Sequence, residues 1–165
     1  MTKTEDFLNE AFAGESQANR KYAAFAIQAD KEGFSQAAKL FRAAAEAEAI
    51  HAANHLRAQN AIKTTKENLR EAITGETHEF KEMYPEMIAA AKTEGMKDAE
   101  RSFNYANAVE EYHAKLYHEM LANLEAKKES VPYFVCPVCG MTVEKDVPDK
   151  CPVCGVKGSM FKKIE

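Results

Sequence analysis

Apolar residues recur at about seven-residue intervals over the first 130 positions, which is the spacing of long amphipathic helices. Each of the four predicted helices carries an acidic residue on its apolar stripe. These stripes read Leu8, Glu15, Tyr22, Ala29; Phe34, Phe41, Glu48, His55; Leu69, Glu76, Met83, Ala90; and Phe103, Glu110, Tyr117, Leu124. A carboxylate on the buried side of a helix is costly unless it has a partner, so these four residues are candidates for a shared cation site.

Two of the acidic residues are followed by a histidine three positions later, at Glu48–His51 and Glu110–His113. Residues at this spacing lie on one face of a helix and can reach the same ion. The chain is also an internal repeat. Gly14-Glu15-Ser16 matches Gly75-Glu76-Thr77 at an offset of 61, and 41–51 matches 103–113 at an offset of 62.

Two lone glutamates and two Glu-x-x-His motifs projecting into a four-helix bundle form the ligand pattern of di-iron carboxylate proteins. Carboxylate oxygens with imidazole nitrogens suit iron or manganese better than copper or zinc. Glu79 is a further candidate on one side only, because its repeat partner is Ala18; a solvated surface glutamate is the alternative. His55 is a rival ligand for which we favour a hydrogen-bonded polar role or a role in aromatic packing. Glu46 is expected either on the outer face or in support of the ligands.

Capping residues and glycines set the expected helix boundaries. Capping-box spacings at Thr2–Glu5 and Thr64–Glu67 open the first and third helices. The first helix is expected to end at Gly33, the second to run from about 34 to 59, the third to be kinked by Pro85 and to end at Gly95, and the fourth to run from about 97 to 128.

All four cysteines lie in the tail, in two Cys-Pro-Val-Cys-Gly segments. Their paired spacing predicts a tetrahedral four-thiolate site for zinc or iron, with ligands Cys136, Cys139, Cys151 and Cys154. A disulfide framework is the less favoured alternative, because of the paired spacing of the cysteines and the expected cytoplasmic context. The expected domains are 1–130 and 131–165, and the metal supplies much of the folding free energy of the second.

Composition narrows the classes of partner. The 165 residues are 45% hydrophobic and 29% charged, with a net charge of −4, which argues against nucleic acid and anionic membranes as partners. No apolar run is long enough to span a membrane, and we expect a cytoplasmic location.

Taken together, the two sites resemble the rubrerythrins over essentially the whole chain. The resemblance implies an all-α, ferritin-like four-helix bundle followed by a small rubredoxin-like domain. It implies seven ligands for two irons: Glu15, Glu48, His51, Glu76, Glu79, Glu110 and His113. Glu48 and Glu110 would bridge the irons, and Glu79 would exchange with His51 as the oxidation state changes. Tyr22 and Tyr84 match family tyrosines that hydrogen-bond to the ligand carboxylates.

The activity implied by the resemblance is reduction of hydrogen peroxide to water, with electrons relayed through a four-cysteine iron. Zinc could replace iron in either site. The chain lacks a dinucleotide-binding glycine motif, so the donor is expected to be a separate rubredoxin or NAD(P)H-dependent reductase. The alternatives are a ferroxidase, which has no need of an electron-input domain, and a non-catalytic zinc-ribbon interaction protein.

The short connection between the second and third helices raises the question of how the bundle is assembled. In a ferritin-like fold these helices run parallel, so the connection must span about 29 Å along the axis. Residues 60–64 offer only about 21 Å when fully extended. We therefore expect a homodimer in which helices one and two of one chain pack on helices three and four of the other.

Overall fold

The computed structural model describes residues 2–126 and 130–164, which divide into two compact units at residues 63 and 64. The first unit is a helical hairpin of α1 (Lys3–Lys31) and α2 (Ser35–Ala58). Thr2 and Glu5 form the predicted capping box at the start of α1. Gly33, with φ of 84°, makes the turn between the helices in the left-handed region that favours glycine.

Small residues form the contact between α1 and α2. The buried side chains are all alanines: Ala26, Ala29, Ala38, Ala45 and Ala52. Side chains of this size let two helix backbones come close together. The Asn19 side-chain amide on α1 donates a hydrogen bond of 2.6 Å to the Ala45 carbonyl of α2, which fixes one helix against the other.

The connection that follows α2 occupies residues 59–64. Asn60 adopts the left-handed conformation, with φ of 51°, and the Ala61 N–H donates back to the Leu56 carbonyl at 3.0 Å. This is a helix-ending motif in which asparagine takes the place often held by glycine. Thr64 then caps α3 through the second predicted capping box, with Glu67 as its partner.

The third predicted helix is divided into three segments. These are α3 (Thr65–His78), a π-helical turn (Glu79–Met83) and α4 (Tyr84–Thr93). The Tyr84 N–H donates to the Glu79 carbonyl five residues back, immediately before Pro85. The wider turn makes room for the proline ring, which would crowd the preceding turn of a regular α-helix. The irregularity expected at Pro85 therefore takes the form of a π-helical turn that begins at Glu79.

The fourth predicted helix is α5 (Lys97–Ala122), which packs against α3 and α4. It ends earlier than the expected boundary near 128, which itself lies outside the described residues. The cause is Asn123, whose backbone leaves the helical conformation and whose side-chain amide donates to the Glu119 carbonyl at 2.7 Å. A side chain that satisfies a carboxyl-terminal carbonyl in this way favours helix termination.

A three-stranded antiparallel sheet follows in the same unit, with strand order β2-β1-β3. The strands are β1 (Tyr133–Val135), β2 (Thr142–Glu144) and β3 (Lys162–Ile164), with a 3-10 turn at Gly158–Met160. Its small core contains Cys136, Met141 and Cys151, and Val109 of α5 is buried in the same cluster. The cysteine domain is thus attached to α5 by an apolar contact. No helix in the described ranges is both long and apolar enough to cross a membrane.

Gly158→Ala is predicted to destabilise the cysteine domain by about 2 kcal/mol, because the added methyl group would collide with the Pro148 carbonyl oxygen. Thermal unfolding of the metal-loaded protein, followed at the absorption of the thiolate–metal bonds, measures the loss. Gly75→Ala is the matched control, since nothing lies within 4 Å of its new methyl group. It should leave the thiolate signal unchanged and stabilise α3 by about 0.5–1 kcal/mol. Equal effects of the two substitutions would contradict this account.

Candidate metal centres

The first unit brings three of the predicted ligands together. Glu15 on α1 and the pair Glu48 and His51 on α2 have ligand atoms that all lie within 4.8 Å of one another. The Nδ1 atom of His51 is 2.8 Å from a carboxylate oxygen of Glu48 and 3.7 Å from one of Glu15. The imidazole is 54% exposed, whereas the Glu48 side chain is 19% exposed. We call this trio the amino-terminal half-site.

The second unit repeats this arrangement. Glu76 on α3 and the pair Glu110 and His113 on α5 form a trio within the same 4.8 Å limit, which we call the carboxy-terminal half-site. The Nδ1 atom of His113 is 2.7 Å from Glu110 and 3.7 Å from Glu76. The internal repeat in the sequence is therefore also a repeat in the orientation of the imidazole. His113 is only 26% exposed and is the more enclosed of the two histidines.

The electrostatics of the carboxy-terminal half-site favour a bound cation. Burial and the neighbouring Glu110 carboxylate raise the pKa of Glu76 to about 7. The hydrogen bond to Glu110 raises the pKa of His113. Metal-free protein must therefore hold protons to relieve the repulsion between carboxylates. Each half-site offers two carboxylates and one imidazole Nδ1, a donor set that fits iron or manganese.

Glu79 lies beside this trio without belonging to it. It is the first residue of the π-helical turn and is half-buried. Burial raises its pKa, and the Glu110 carboxylate adds to the effect, so the two carboxylates are electrostatic neighbours. Helical turns of this kind are frequent at functional sites, because they displace one side chain relative to the regular helix. Glu76 thus lies in the regular helix α3, whereas Glu79 lies in the π-helical turn that follows it.

The predicted tyrosines, Tyr22 and Tyr84, lie 62 positions apart, as Phe41 and Phe103 do, but they differ in their surroundings. Tyr22 packs on Phe41 and Tyr84 packs on Phe103, each with ring centroids 6.3 Å apart. Burial raises the pKa of Tyr84, and nearby carboxylates, chiefly Glu79, raise it further. No hydrogen bond joins either hydroxyl to a ligand carboxylate within the part of the chain that the structure describes.

Tyr117 and Thr142 also contribute to the site, and our sequence interpretation did not include them. Burial and the carboxylates of Glu76 and Glu110 raise the pKa of Tyr117. It lies on the same stripe as Glu110 and one turn after His113, so the helical spacing could have identified it. Thr142 approaches His113 only because the sheet packs against α5, and no sequence spacing indicates that contact.

The four cysteines converge at the two Cys-Pro-Val-Cys-Gly segments, which we call the knuckles. Their sulfurs lie within 4.8 Å of one another, with Cys136 to Cys154 at 3.6 Å and Cys139 to Cys151 at 3.5 Å. All four are free thiols, as a metal site requires. Burial opposes ionisation of Cys151, but N–H groups of Cys154 and Val153 lower its pKa to about 7. Burial raises the pKa of Cys139, so a metal is needed to hold all four as thiolates.

Both parts of the chain match known proteins. Residues 6–121 match the family described as Rubrerythrin, and residues 134–162 match its rubredoxin-like domain. The chain belongs to the rubrerythrin family. The family implies iron, and the four-cysteine cluster and the two half-sites are suited to it.

Relatives of known name and structure agree with this assignment. Rubrerythrin-2 of Clostridium acetobutylicum is 35% identical, covering 96% of this chain and 95% of its own length. A rubrerythrin of Porphyromonas gingivalis is 33% identical, covering 99% of this chain and 91% of its own. Nigerythrin in its fully reduced, all-ferrous state is 30% identical with a TM-score of 0.61, covering 99% of this chain and 88% of that one.

These likenesses confirm the predicted fold class, a ferritin-like helical bundle followed by a rubredoxin-like domain. The individual ligand assignments remain predictions, as do the roles of Tyr22 and Tyr84. The structure brings six of the seven carboxylate and histidine ligands into two trios and leaves Glu79 adjacent to the second.

Metal-free protein is predicted to lose stability as the pH rises. The folded-state pKa of Glu76 lies above its ordinary value, so the folded state binds more protons than the unfolded state between about pH 4.5 and about 7. The raised pKa of His113 acts in the same direction above about pH 6.5, where the unfolded state loses its proton first. We expect a loss of about 1–2 kcal/mol, less than the full pKa shift would give, because water screens part of the interaction.

Chemical denaturation of metal-free protein at several pH values measures this trend. Glu76→Gln should flatten it, since the amide does not titrate. Saturating manganese should remove it by neutralising the carboxylates. A metal-free protein that becomes more stable between pH 5 and pH 8 would contradict the electrostatic account.

Proposed function

We propose that this rubrerythrin reduces hydrogen peroxide to water, as part of a defence against oxidative stress, with electrons that enter through its four-cysteine iron. The relatives suggest an oxidoreductase. Peroxide reduction needs two electrons and two protons for each pair of water molecules formed. When bound, two irons held by the two half-sites would supply both electrons to one peroxide, which avoids release of a hydroxyl radical. A further iron at the cysteines would supply electrons singly.

The observation that carries this proposal is the attachment of the cysteine domain to the helix that bears Glu110 and His113. Val109 of α5 is 2% exposed and is buried in the same apolar cluster as Cys136 and Cys151. The residue adjacent in sequence, Glu110, belongs to the carboxy-terminal half-site. One helix therefore links the four-cysteine ligand set to a carboxylate ligand set. A ferroxidase has no need of this arrangement, and a zinc-ribbon interaction protein has no need of the half-sites.

The chain's own residues would bind the two irons and manage protons. The carboxylates would supply negative charge that stabilises oxidised iron, and Nδ1 of each imidazole would bind beside its neighbouring glutamate. Burial and the nearby carboxylates raise the pKa of Tyr84 and of Tyr117, so both hydroxyls keep their protons. The electron donor is proposed to be a separate rubredoxin or NAD(P)H-dependent reductase, and the protein is proposed to act in the cytoplasm.

Cys136→Ser is predicted to abolish peroxide turnover with an external donor while leaving the helices folded. The substitution removes one of the four thiolates, so electrons can no longer enter through that site. Chemically reduced Cys136→Ser protein should still consume one peroxide for each pair of bound irons, which separates electron entry from peroxide chemistry. Peroxide consumption under a donor system, with circular dichroism as the folding control, measures both. Normal turnover by the variant would place electron entry elsewhere.

Glu79 is proposed as a ligand whose binding depends on oxidation state. The carboxylate suits ferric iron and the imidazole of His51 suits ferrous iron, so the two would alternate. Glu79→Ala should leave the iron content nearly unchanged and slow peroxide turnover by about tenfold or more, in line with loss of a supporting group at a metal. Glu82→Ala on the same π-helical turn is the control and should turn over normally. Unchanged turnover in Glu79→Ala would remove the proposed role.

The two half-sites that make one di-iron centre are proposed to come from two chains of a homodimer. The support is the length of the connection between Ala58 and Thr65, which spans about 24 Å at full extension. If α2 and α3 run parallel, as in ferritin-like bundles, the ends to be joined are about 27 Å apart along the axis. A lateral step of about 8–10 Å between neighbouring helices lengthens the path further. Exchange of α1 and α2 between chains removes this conflict.

Mixing two inactive variants tests this exchange. A Glu48→Ala chain and a Glu110→Ala chain, unfolded and refolded together, should regain up to about a quarter of wild-type turnover, because half the dimers are mixed and each mixed dimer has one intact site. Each variant refolded alone is the control and should remain inactive. If both half-sites of a centre come from one chain, every site carries a lesion and mixing restores nothing.

A further inference from the structure

A side-chain contact between the cysteine domain and a predicted iron ligand is not explained by the function proposed above. The Oγ1 atom of Thr142 on β2 lies 2.9 Å from Nε2 of His113, which is the ring nitrogen that faces away from the carboxylates. The same hydroxyl donates to the carbonyl of Gly140 at 3.1 Å. Gly140 directly follows Cys139 in the first knuckle. A short polar chain therefore joins a thiolate segment to His113.

The donors and acceptors along this series of hydrogen bonds indicate where its protons lie. A threonine hydroxyl carries one hydrogen. When that hydrogen is donated to Gly140, the oxygen accepts a hydrogen bond from Nε2 of His113. The hydrogen bond between Nδ1 and Glu110 in the metal-free protein places a second proton on the ring, which a metal at Nδ1 would displace. A neutral imidazole with its proton on Nε2 has its lone pair on Nδ1. That atom lies 2.7 Å from a Glu110 oxygen and 3.7 Å from a Glu76 oxygen, where a shared metal ion would be held.

The opposite tautomer is the natural competitor in metal-free protein. Two carboxylates face Nδ1, so they would stabilise a proton on that nitrogen, and the proton would prevent Nδ1 from binding a metal. The Thr142 hydroxyl, whose hydrogen is directed to Gly140, opposes this arrangement by accepting a hydrogen bond from the N–H group at Nε2. Histidine ligands of metals in general depend on a partner at the second nitrogen, which orients the ring and fixes its tautomer.

The amino-terminal half-site provides an internal comparison. His51 has the same Nδ1 geometry, 2.8 Å from Glu48 and 3.7 Å from Glu15. Within its own unit no described residue makes a hydrogen bond to its Nε2, and the ring is about twice as exposed as that of His113. In both half-sites Nδ1 faces the carboxylates. Among the described residues, a hydrogen bond to Nε2 is made only in the second unit.

The surroundings of Thr142 limit what could replace its hydroxyl. Thr142 and His113 line a cavity of about 300 Å³ whose other walls are mainly apolar: Leu69, Leu116, Tyr117, Met120 and Tyr133. A water molecule that entered this cavity would find few polar partners to hold it in position. Removal of the hydroxyl should therefore leave Nε2 without an ordered acceptor.

We propose that Thr142 is a positioning residue that holds His113 with its proton on Nε2, and so prepares Nδ1 to bind metal. Because the hydroxyl belongs to the cysteine domain, docking of that domain on α5 and metal binding at the carboxy-terminal half-site favour each other. The inference rests on the proposed function in one respect, the use of Nδ1 as a metal ligand. It requires neither peroxide nor an electron donor.

Thr142→Val and Thr142→Ser in the full-length chain test the proposal. Valine has nearly the same shape and suits a strand, but lacks the hydroxyl, whereas serine retains it. The cysteine site is first filled with zinc, and the protein is then titrated with cobalt(II) followed by its visible absorption. We expect valine to weaken cobalt binding at the carboxylate site by about 10–100-fold, and serine to restore it to within about threefold of wild type. Equal affinity in wild type and valine would overturn the proposal.

A spectroscopic measurement separates positioning from simple docking. With zinc in the cysteine site alone and the pH above the pKa of His113, ¹⁵N spectra of labelled histidine report which ring nitrogen bears the proton. Wild type and Thr142→Ser should show His113 protonated at Nε2, and Thr142→Val should shift the proton toward Nδ1. A wild-type ring protonated at Nδ1 would overturn the proposal.

Two controls keep other failures distinct. Retention of tetrahedral thiolate absorption when cobalt replaces zinc shows that the Thr142→Val cysteine domain is folded. If the valine variant has lost this absorption, Thr142→Ala takes its place, since alanine also lacks the hydroxyl and adds no bulk. Weaker cobalt binding in Thr142→Ala would then support the proposal, and wild-type affinity would overturn it. Failure of peroxide turnover in all variants, wild type included, would reject the proposed function while leaving the affinity and tautomer results intact.

Discussion

The cost of holding several carboxylates close together away from water is the constraint on which this structure depends. Burial and the neighbouring Glu110 carboxylate raise the pKa of Glu76 to about 7, and His113 is hydrogen-bonded to Glu110 on the same face. Without a cation, the protein must take up protons to tolerate this arrangement. A divalent metal would remove the conflict, and its binding would stabilise the folded helices. In the first unit, the Ala-rich contact of α1 and α2 brings together Glu15, Glu48 and His51.

A second consequence follows from the position of the cysteine domain. A small segment with four thiols has little apolar core of its own, and Val109 of α5 completes that core. The adjacent residue on the helix is Glu110. Packing that stabilises the domain therefore also sets it beside the carboxylate ligands, and Thr142 adds a polar connection to His113. Stability and electron delivery, in the function we propose, depend on the same helix.

Much of this could be predicted from the sequence because it rests on local spacing. The two capping boxes, the Gly33 turn, the Glu-x-x-His motifs and the paired cysteines each depend on residues a few positions apart. The π-helical turn at Glu79 was indicated only as an irregularity near Pro85, since the choice between a kink and a widened turn depends on packing. The early end of α5 depends on one hydrogen bond from Asn123, and such single contacts are weak signals in a sequence.

The contact between Thr142 and His113 lay beyond sequence reasoning for a different reason. It joins residues 29 positions apart through the docking of a sheet on a helix, and neither residue's spacing reveals it. Tyr117, in contrast, is one turn from His113, but an uncharged tyrosine on an apolar stripe has the same sequence pattern as an ordinary core residue. Long-range polar contacts and uncharged residues of a site are thus where the structure adds most to the sequence.

The most direct test of the account is peroxide-driven reoxidation of anaerobically reduced, iron-loaded protein, followed at the absorption bands of the ferric four-thiolate site. The account predicts that these bands return after peroxide is added, with two electrons lost for each peroxide consumed and no hydroxyl radical trapped. Cys136→Ser protein should consume peroxide without these bands. A four-thiolate iron that stays reduced while peroxide is consumed at the carboxylate site would contradict the claim that the two sites form one electron-transfer unit.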